Sequence, residues 1–188
     1  MGWNQWIRTV EVEPALAAAE AAERERQVEV LLRTGCRVVH LVGSGEELRG
    51  ALGVLSPLAR RYDAVLDVHV LDADTDGLAA AGADSVTVAP GVAIGPLRAA
   101  GVQVGIAYDG DPAAIPDGVD LVLCRSDEAG ALAPQLAPGV VLQVEGDVTH
   151  DTVRALHDGG ARLLVAREAI FAREDLPRAY RRLLQALA

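Results

Sequence analysis

Three residues with ligating side chains, His40, His69 and Glu145, stand near the ends of apolar runs in a chain with only four histidines. His40 lies in Val38-Val39-His40-Leu41-Val42 and His69 in Leu66-Asp67-Val68-His69-Val70. Glu145 lies in Val140-Val141-Leu142-Gln143-Val144-Glu145-Gly146-Asp147. If these runs are strands of one sheet, two imidazoles and a carboxylate meet at its end, a donor set for a divalent zinc, iron or manganese ion. Such a site polarises a carbonyl and stabilises the enediolate left by proton abstraction, with Glu145 as the base. The competing reading makes both histidines hydrogen-bonded rim residues with no ligand. Side chains two apart on a strand share a face, so His40 goes with Val42 and Asp67 with His69. Asp67 and Gly146 are therefore expected beside the substrate. Arg125 and Arg167, also at run ends, are candidate grips for an anion. The alternative pairs them with Glu145, Asp147 or Glu168 across the mouth of the site.

The elements that must position these residues repeat one pattern of helix, glycine turn and β-branched run. Gly35, Gly82, Gly101, Gly118 and Gly159-Gly160 each precede such a run. Glycine ends a helix in a left-handed conformation, and the chain re-enters as a strand. Continuous rather than alternating apolar runs mean strands covered on both faces, hence a parallel sheet. Eight strands are predicted at 8–14, 37–42, 64–70, 85–89, 102–107, 120–124, 140–145 and 162–166. Helices are predicted at 15–34, 45–61, 75–81, 91–100, 112–116, 128–136, 149–159 and 175–187, the fifth and sixth shortened by Pro116 and Pro134. Eight such units argue a closed (β/α)8 TIM barrel, with its site at the strand C-terminal ends. At 188 residues a single domain, 1–188, is expected, smaller than the ~250 residues usual for this fold. Trp3 and Trp6 precede the first strand, where they would close the barrel bottom or meet a neighbouring subunit.

Composition excludes several functions. The formal charge of −10 argues against nucleic acid and anionic membranes, which select basic patches. Every basic residue is arginine, so a lysine Schiff base and a phosphate-loop lysine are both ruled out. No nicotinamide or flavin is expected. Cys36 and Cys124 have no motif spacing and read as buried free thiols. No apolar run reaches the ~18 residues of a membrane span and no basic-then-apolar leader opens the chain, so a cytoplasmic protein is expected. His150 and His157 read as a loop residue and a helix-surface residue. The acidic run Asp72, Asp74, Asp76 with Gly77 has Ala83 where a calcium loop needs glutamate, and reads as a solvated loop.

At these residues the chain resembles the ribulose-phosphate 3-epimerase family over nearly its whole length. Pro14-Ala15-Leu16-Ala17 stands where that family carries Pro-Ser-apolar-Leu, and Leu66-Asp67-Val68-His69-Val70 resembles its Asp-apolar-His-Leu-Met strand. Val144-Glu145-Gly146-Asp147-Val148 replaces its Val-Asp-Gly-Gly-Ile, and Val165-Ala166-Arg167-Glu168-Ala169-Ile170-Phe171 its Val-Ala-Gly-Ser-Ala-Ile-Phe. The resemblance implies a compact TIM barrel of the ribulose-phosphate-binding type, a homo-oligomer, and one metal held by two histidines and two aspartates. Those aspartates exchange a proton on opposite faces of the substrate.

Carried over, the histidines are His40 and His69, Val42 replaces the first aspartate, and Glu145 the second. Ala15 replaces the serine near the substrate. Valine neither ligates a metal nor moves a proton. Asp147 and Arg167-Glu168 interrupt the phosphate-binding glycines, and the glycine-rich loop after strand six shrinks to Arg125-Ser126-Asp127-Glu128. The expectation is a divergent isomerase or epimerase acting on a small polar or anionic carbohydrate-like molecule, and not an efficient ribulose 5-phosphate epimerase. The alternative is a non-catalytic barrel that binds a metabolite or a protein partner.

Overall fold

The computed structural model describes residues 10–187, which form a closed barrel of eight parallel strands paired in sequence order. The strands are β1 (Glu11–Ala17), β2 (Val38–Gly43), β3 (Val65–Val70), β4 (Ser85–Val88), β5 (Gln103–Ala107), β6 (Leu121–Arg125), β7 (Val141–Glu145) and β8 (Leu163–Ala166). Pairing of β1 with β8, from Glu11–Leu163 to Pro14–Ala166, closes the ring. The expected eight-unit barrel is present. Trp3, Trp6 and the start of the first expected strand lie outside the described residues.

β1 differs from expectation, because it continues through Pro14 to Ala17 where the sequence predicts a helix from 15. Proline cannot donate to a ladder and usually marks a strand end. Here Pro14 is the last residue paired with β8, and pairing with β2 begins at Ala15. The chain changes neighbours at the proline without ending the strand. A 3₁₀ turn (Ala18–Glu20) then leads into α1 (Ala21–Arg33), which buries Val28, Leu31 and Leu32.

α2 (Gly45–Arg61) is the longest helix and is fixed by a capping box. The Ser44 side chain accepts from the Glu47 backbone, and the Glu47 carboxylate accepts from the Ser44 backbone. The remaining helices are α3 (Leu78–Ala81), α4 (Gly95–Ala99), α5 (Ala129–Leu132), α6 (Val153–Asp158), α7 (Glu168–Phe171) and α8 (Leu176–Leu187). The helix expected at 112–116 is a 3₁₀ turn, Pro112–Ala114. Helices expected at 75–81, 91–100 and 149–159 each begin later than predicted. All five glycine turns named from the sequence place a glycine at positive φ. Among the described residues no helix is long and apolar enough to cross a membrane.

Inside the barrel, side chains alternate along each strand and stack in layers. Val38, Val65, Leu121, Val141 and Leu163 form an apolar lower layer. The next inward positions on β2, β3 and β7, two residues along, are His40, Asp67 and Gln143, joined by Glu13 from β1 and Ser85 from β4. The barrel thus carries a buried polar layer directly beneath the rim.

Candidate functional site

Asp67 is the centre of that layer. It is fully buried and accepts from the Ser85 hydroxyl, from Gln143 Nε2 at 2.6 Å, and from His40 Nδ1 at 2.6 Å. Burial would raise its pKa, but the His40 ring and the bonds from His40, Ser85 and Gln143 hold it below the ordinary carboxylate range. Glu13 behaves oppositely. Burial, reinforced by the Asp67 charge, lifts it well above the usual range, although Gln143 Nε2 also donates to it at 2.5 Å. Two carboxylates in one dry layer cannot both ionise cheaply, so Glu13 keeps the proton and Asp67 the charge.

An ionised Asp67 accepts a hydrogen bond from Nδ1–H of His40, which turns Nε2 away from it toward the barrel interior. His40 Nε2 is buried and has no hydrogen-bond partner among the described residues. His69, two residues beyond Asp67, has its ring centroid 6.4 Å from that of His40. Burial and the His40 ring push His69 down to about 4 against the pull of Asp67, so it is neutral at neutral pH. One ligand atom each from His40, His69 and Glu145 lie within 4.8 Å of one another. The expected trio is therefore brought together, with a carboxylate behind one histidine. That support is common where a histidine holds a metal, because it fixes the tautomer and raises the basicity of the ligating nitrogen. The orphaned Nε2 and this donor set fit a divalent ion.

A cavity of about 540 Å³ opens over the β1, β2, β7 and β8 ends, its wall including Ala15, Val42, Glu145, Gly146, Asp147 and Arg167. Gly146 lies beside the site as expected. Asp67 does not: it is sealed below the rim and supports His40, so its expected substrate contact is corrected to a positioning role. Arg125, the other expected anion grip, stands outside the cavity with 70% of its side chain exposed and Asp127 at 3.4 Å. Arg167 lines the cavity but bonds Glu20 at 3.0 Å and approaches Glu168 at 3.7 Å. Neither arginine is a free anion grip. Val42 presents an apolar side chain where a second carboxylate would be needed.

The other sequence candidates fall outside the site. His150 is exposed beside Asp151, and half-buried His157 lies against the Ala161 carbonyl. Asp72 accepts from the Gly45 and Asp74 backbones and Asp74 pairs with Arg49, so the acidic loop clamps the start of α2. Burial pushes the thiols of Cys36 and Cys124 up to about 12, which leaves both unreactive at neutral pH. Sequence reasoning missed Glu13 and Gln143. A glutamate and a glutamine at inward positions of otherwise apolar strands were the available signal.

In sequence, the chain matches no family model and no curated protein. Its fold is shared with solved (β/α)8 barrels at low identity. Thiamine phosphate pyrophosphorylase from Pyrococcus furiosus superposes with a TM-score of 0.75 at 16% identity, over 95% of each chain. Orotidine 5'-phosphate decarboxylase from Pyrococcus horikoshii gives 0.74 at 13% identity, over 94% of this chain and 98% of that one. For 3-hexulose-6-phosphate synthase from Salmonella typhimurium the values are 0.74 and 18%, with the same coverage.

Proposed function

We propose that this barrel is a metal-dependent isomerase of a small carbohydrate-like molecule, working through the single base Glu145. The observation that carries the reading is the buried, unpartnered Nε2 of His40, set by Asp67 beside His69 and Glu145. His40, His69 and Glu145 would hold the ion, which supplies Lewis-acid polarisation of a carbonyl when bound. Glu145 has no cationic partner among the described residues and lines the cavity, so it is available to a substrate carbon. It removes the proton from the hydroxyl-bearing carbon next to the carbonyl and returns it to the former carbonyl carbon on the same face. The hydroxyl proton passes between the two oxygens, so the step balances as a 1,2-shift. Val42 offers no base on the opposite wall, which argues against inversion by two carboxylates. Ala15, Leu123 and Val165 pack as an apolar cluster, of which Ala15 and Val165 line the cavity.

The neighbouring folds named above include proteins whose names carry phosphorylated compounds, which supports a carbohydrate-related substrate by analogy of fold alone. The rival reading is a non-catalytic binding barrel, favoured by the tethering of Arg167 to Glu20. One experiment separates them. Protein purified without added metal is assayed for metal content, then incubated in heavy water with a panel of free and phosphorylated aldoses and ketoses. The expected result is about one ion per chain, lost in His69→Ala, with deuterium entering beside a carbonyl and abolished in Glu145→Gln. A metal-free protein that exchanges no proton in any sugar overturns the proposal.

A further inference from the structure

A second groove, of about 410 Å³, lies at the N-terminal ends of the strands, on the barrel face opposite the cavity. It runs between the β6–β7 connection and the start of β8, and its wall includes Leu136, Ala137, Val140, Gly160 and Arg162. Active sites of this fold sit at the other face, so the groove is not a second reaction site. Leu136 and Val140 are only half-buried, and Ala137 is exposed. Arg162, the one charged residue lining the groove, has no ion-pair partner among the described residues. An apolar slot beside an unengaged guanidinium fits an aromatic ring, whose face attracts a cation. The protein carries such a ring close by. The Glu11 N–H donates to the Arg162 carbonyl, so the polypeptide enters β1 from beside the groove. Residues 1–9, Met1-Gly2-Trp3-Asn4-Gln5-Trp6-Ile7-Arg8-Thr9, hold both tryptophans of the chain and no side-chain carboxylate. Trp6 stands four residues before Val10, a reach of up to about 14 Å in extended chain. A second copy of the protein is a poorer occupant, because a stable subunit interface buries about 800 Å² on each partner.

We propose that residues 1–9 turn back under the barrel and seat Trp6 in this groove, the indole against Leu136 and Val140 and its face toward Arg162. The segment then straps the β6–β7 connection to the β1–β8 seam. The indole is amphipathic, so its apolar body fills the slot while its N–H stays at the open side, in water. Trp6 is the anchor rather than Trp3, because the shorter tether loses less chain entropy on docking. Of the two roles expected for the tryptophans, this assigns closure of the barrel bottom over contact with a neighbouring subunit.

Because both tryptophans lie in this segment, the intrinsic emission of the full chain reports on it alone. The native protein is expected to emit at shorter wavelength than the urea-unfolded one, with several-fold weaker quenching by acrylamide. Trp6→Phe removes that blue shift and Trp3→Phe keeps it. Ala137→Arg fills the groove from an exposed position, which leaves the barrel core intact, and moves the emission to the unfolded wavelength. Leu136→Ser, from the groove wall, gives the same change, with circular dichroism checking that each variant stays folded. Arg162→Gln is expected to lower the ratio of docked to free segment about two- to fivefold, read as stronger acrylamide quenching. Native emission at the unfolded wavelength, or a blue shift that survives Ala137→Arg and Leu136→Ser, overturns the proposal. So does quenching that ignores Arg162→Gln. A blue shift that grows with protein concentration, in step with the mass from sedimentation, also overturns it and assigns the groove to a second copy.

Discussion

Gln143 donates from one amide nitrogen to Glu13 and to Asp67, and so holds two fully buried carboxylates in a single layer of the barrel. The consequence for pH follows from Glu13. Its pKa in the folded state lies above the ordinary 4.5, so its contribution to stability is complete below that value and is lost as pH rises through the folded pKa. Glu13→Gln cannot ionise, and urea unfolding of this variant is expected to lose less stability between mildly acidic and alkaline pH than wild type does. Equal slopes would show that Glu13 is not protonated at the acid end. Asp67 makes the complementary prediction. Asp67→Asn removes the charge behind His40, and metal affinity measured by chelator competition is expected to fall about 10–100-fold. His40, His69 and Glu145 were legible from the sequence because ligating side chains at strand ends are rare in so apolar a chain. Glu13 and Gln143 were not. Their role depends on register across the β1 seam, and Pro14 hid how far that strand continues.

The junctions between elements aim these residues, and the turn from β2 to α2 is the most constrained. Ser44 caps α2, while the Asp72 carboxylate accepts from the Gly45 backbone and draws the β3–α3 loop against the helix start. Ser44→Ala is expected to cost about 1 kcal/mol in chemical denaturation, the usual loss of an N-cap. Gly45→Ala should cost more, because its Cβ would fall 2.0 Å from the Asp74 carbonyl oxygen, a backbone atom that cannot rotate away. If the alanine variant at 45 is as stable as wild type, this close approach is absent in solution. Local side-chain bonding of this kind explains why the helices expected at 75–81 and 149–159 start later. Asp72 and Asp74, like Thr149 and Thr152, bond nearby backbone groups and hold one turn of chain out of the helix. Amphipathic patterns locate α2 and α8 well and the end of α1, whose start at Ala21 falls six residues after the expected one because β1 runs on to Ala17.

At the scale of the whole molecule, a closed barrel is only as firm as its last seam, here between β8 and β1. The Glu11 backbone donates to the Arg162 carbonyl at the lower end, and Arg167 meets Glu20, 147 residues away, at the upper. Such a pair could not be read from spacing. Arg24 adds to it by lying 5.2 Å over the Phe171 ring, so α1 and α7 are joined above the same seam. From below and outside, α8 packs on β1, α1, α6 and α7. Its Tyr180 is buried and hydrogen-bonded to Cys36, whose thiol in turn donates to the Val38 carbonyl at 3.0 Å. Removing that ring should cost about 3–5 kcal/mol, as for other buried aromatics cut to alanine. The loss has a direction, because α8 touches the seam strand β1. Native-state hydrogen exchange of Tyr180→Ala is therefore expected to accelerate first at the amides of β1 and β8, before those of β4 and β5 across the barrel. Uniform acceleration around the ring would mean that α8 stabilises the barrel as a whole. Selective opening would identify the seam beside Arg167 and Glu20 as the part of the cavity wall that yields first.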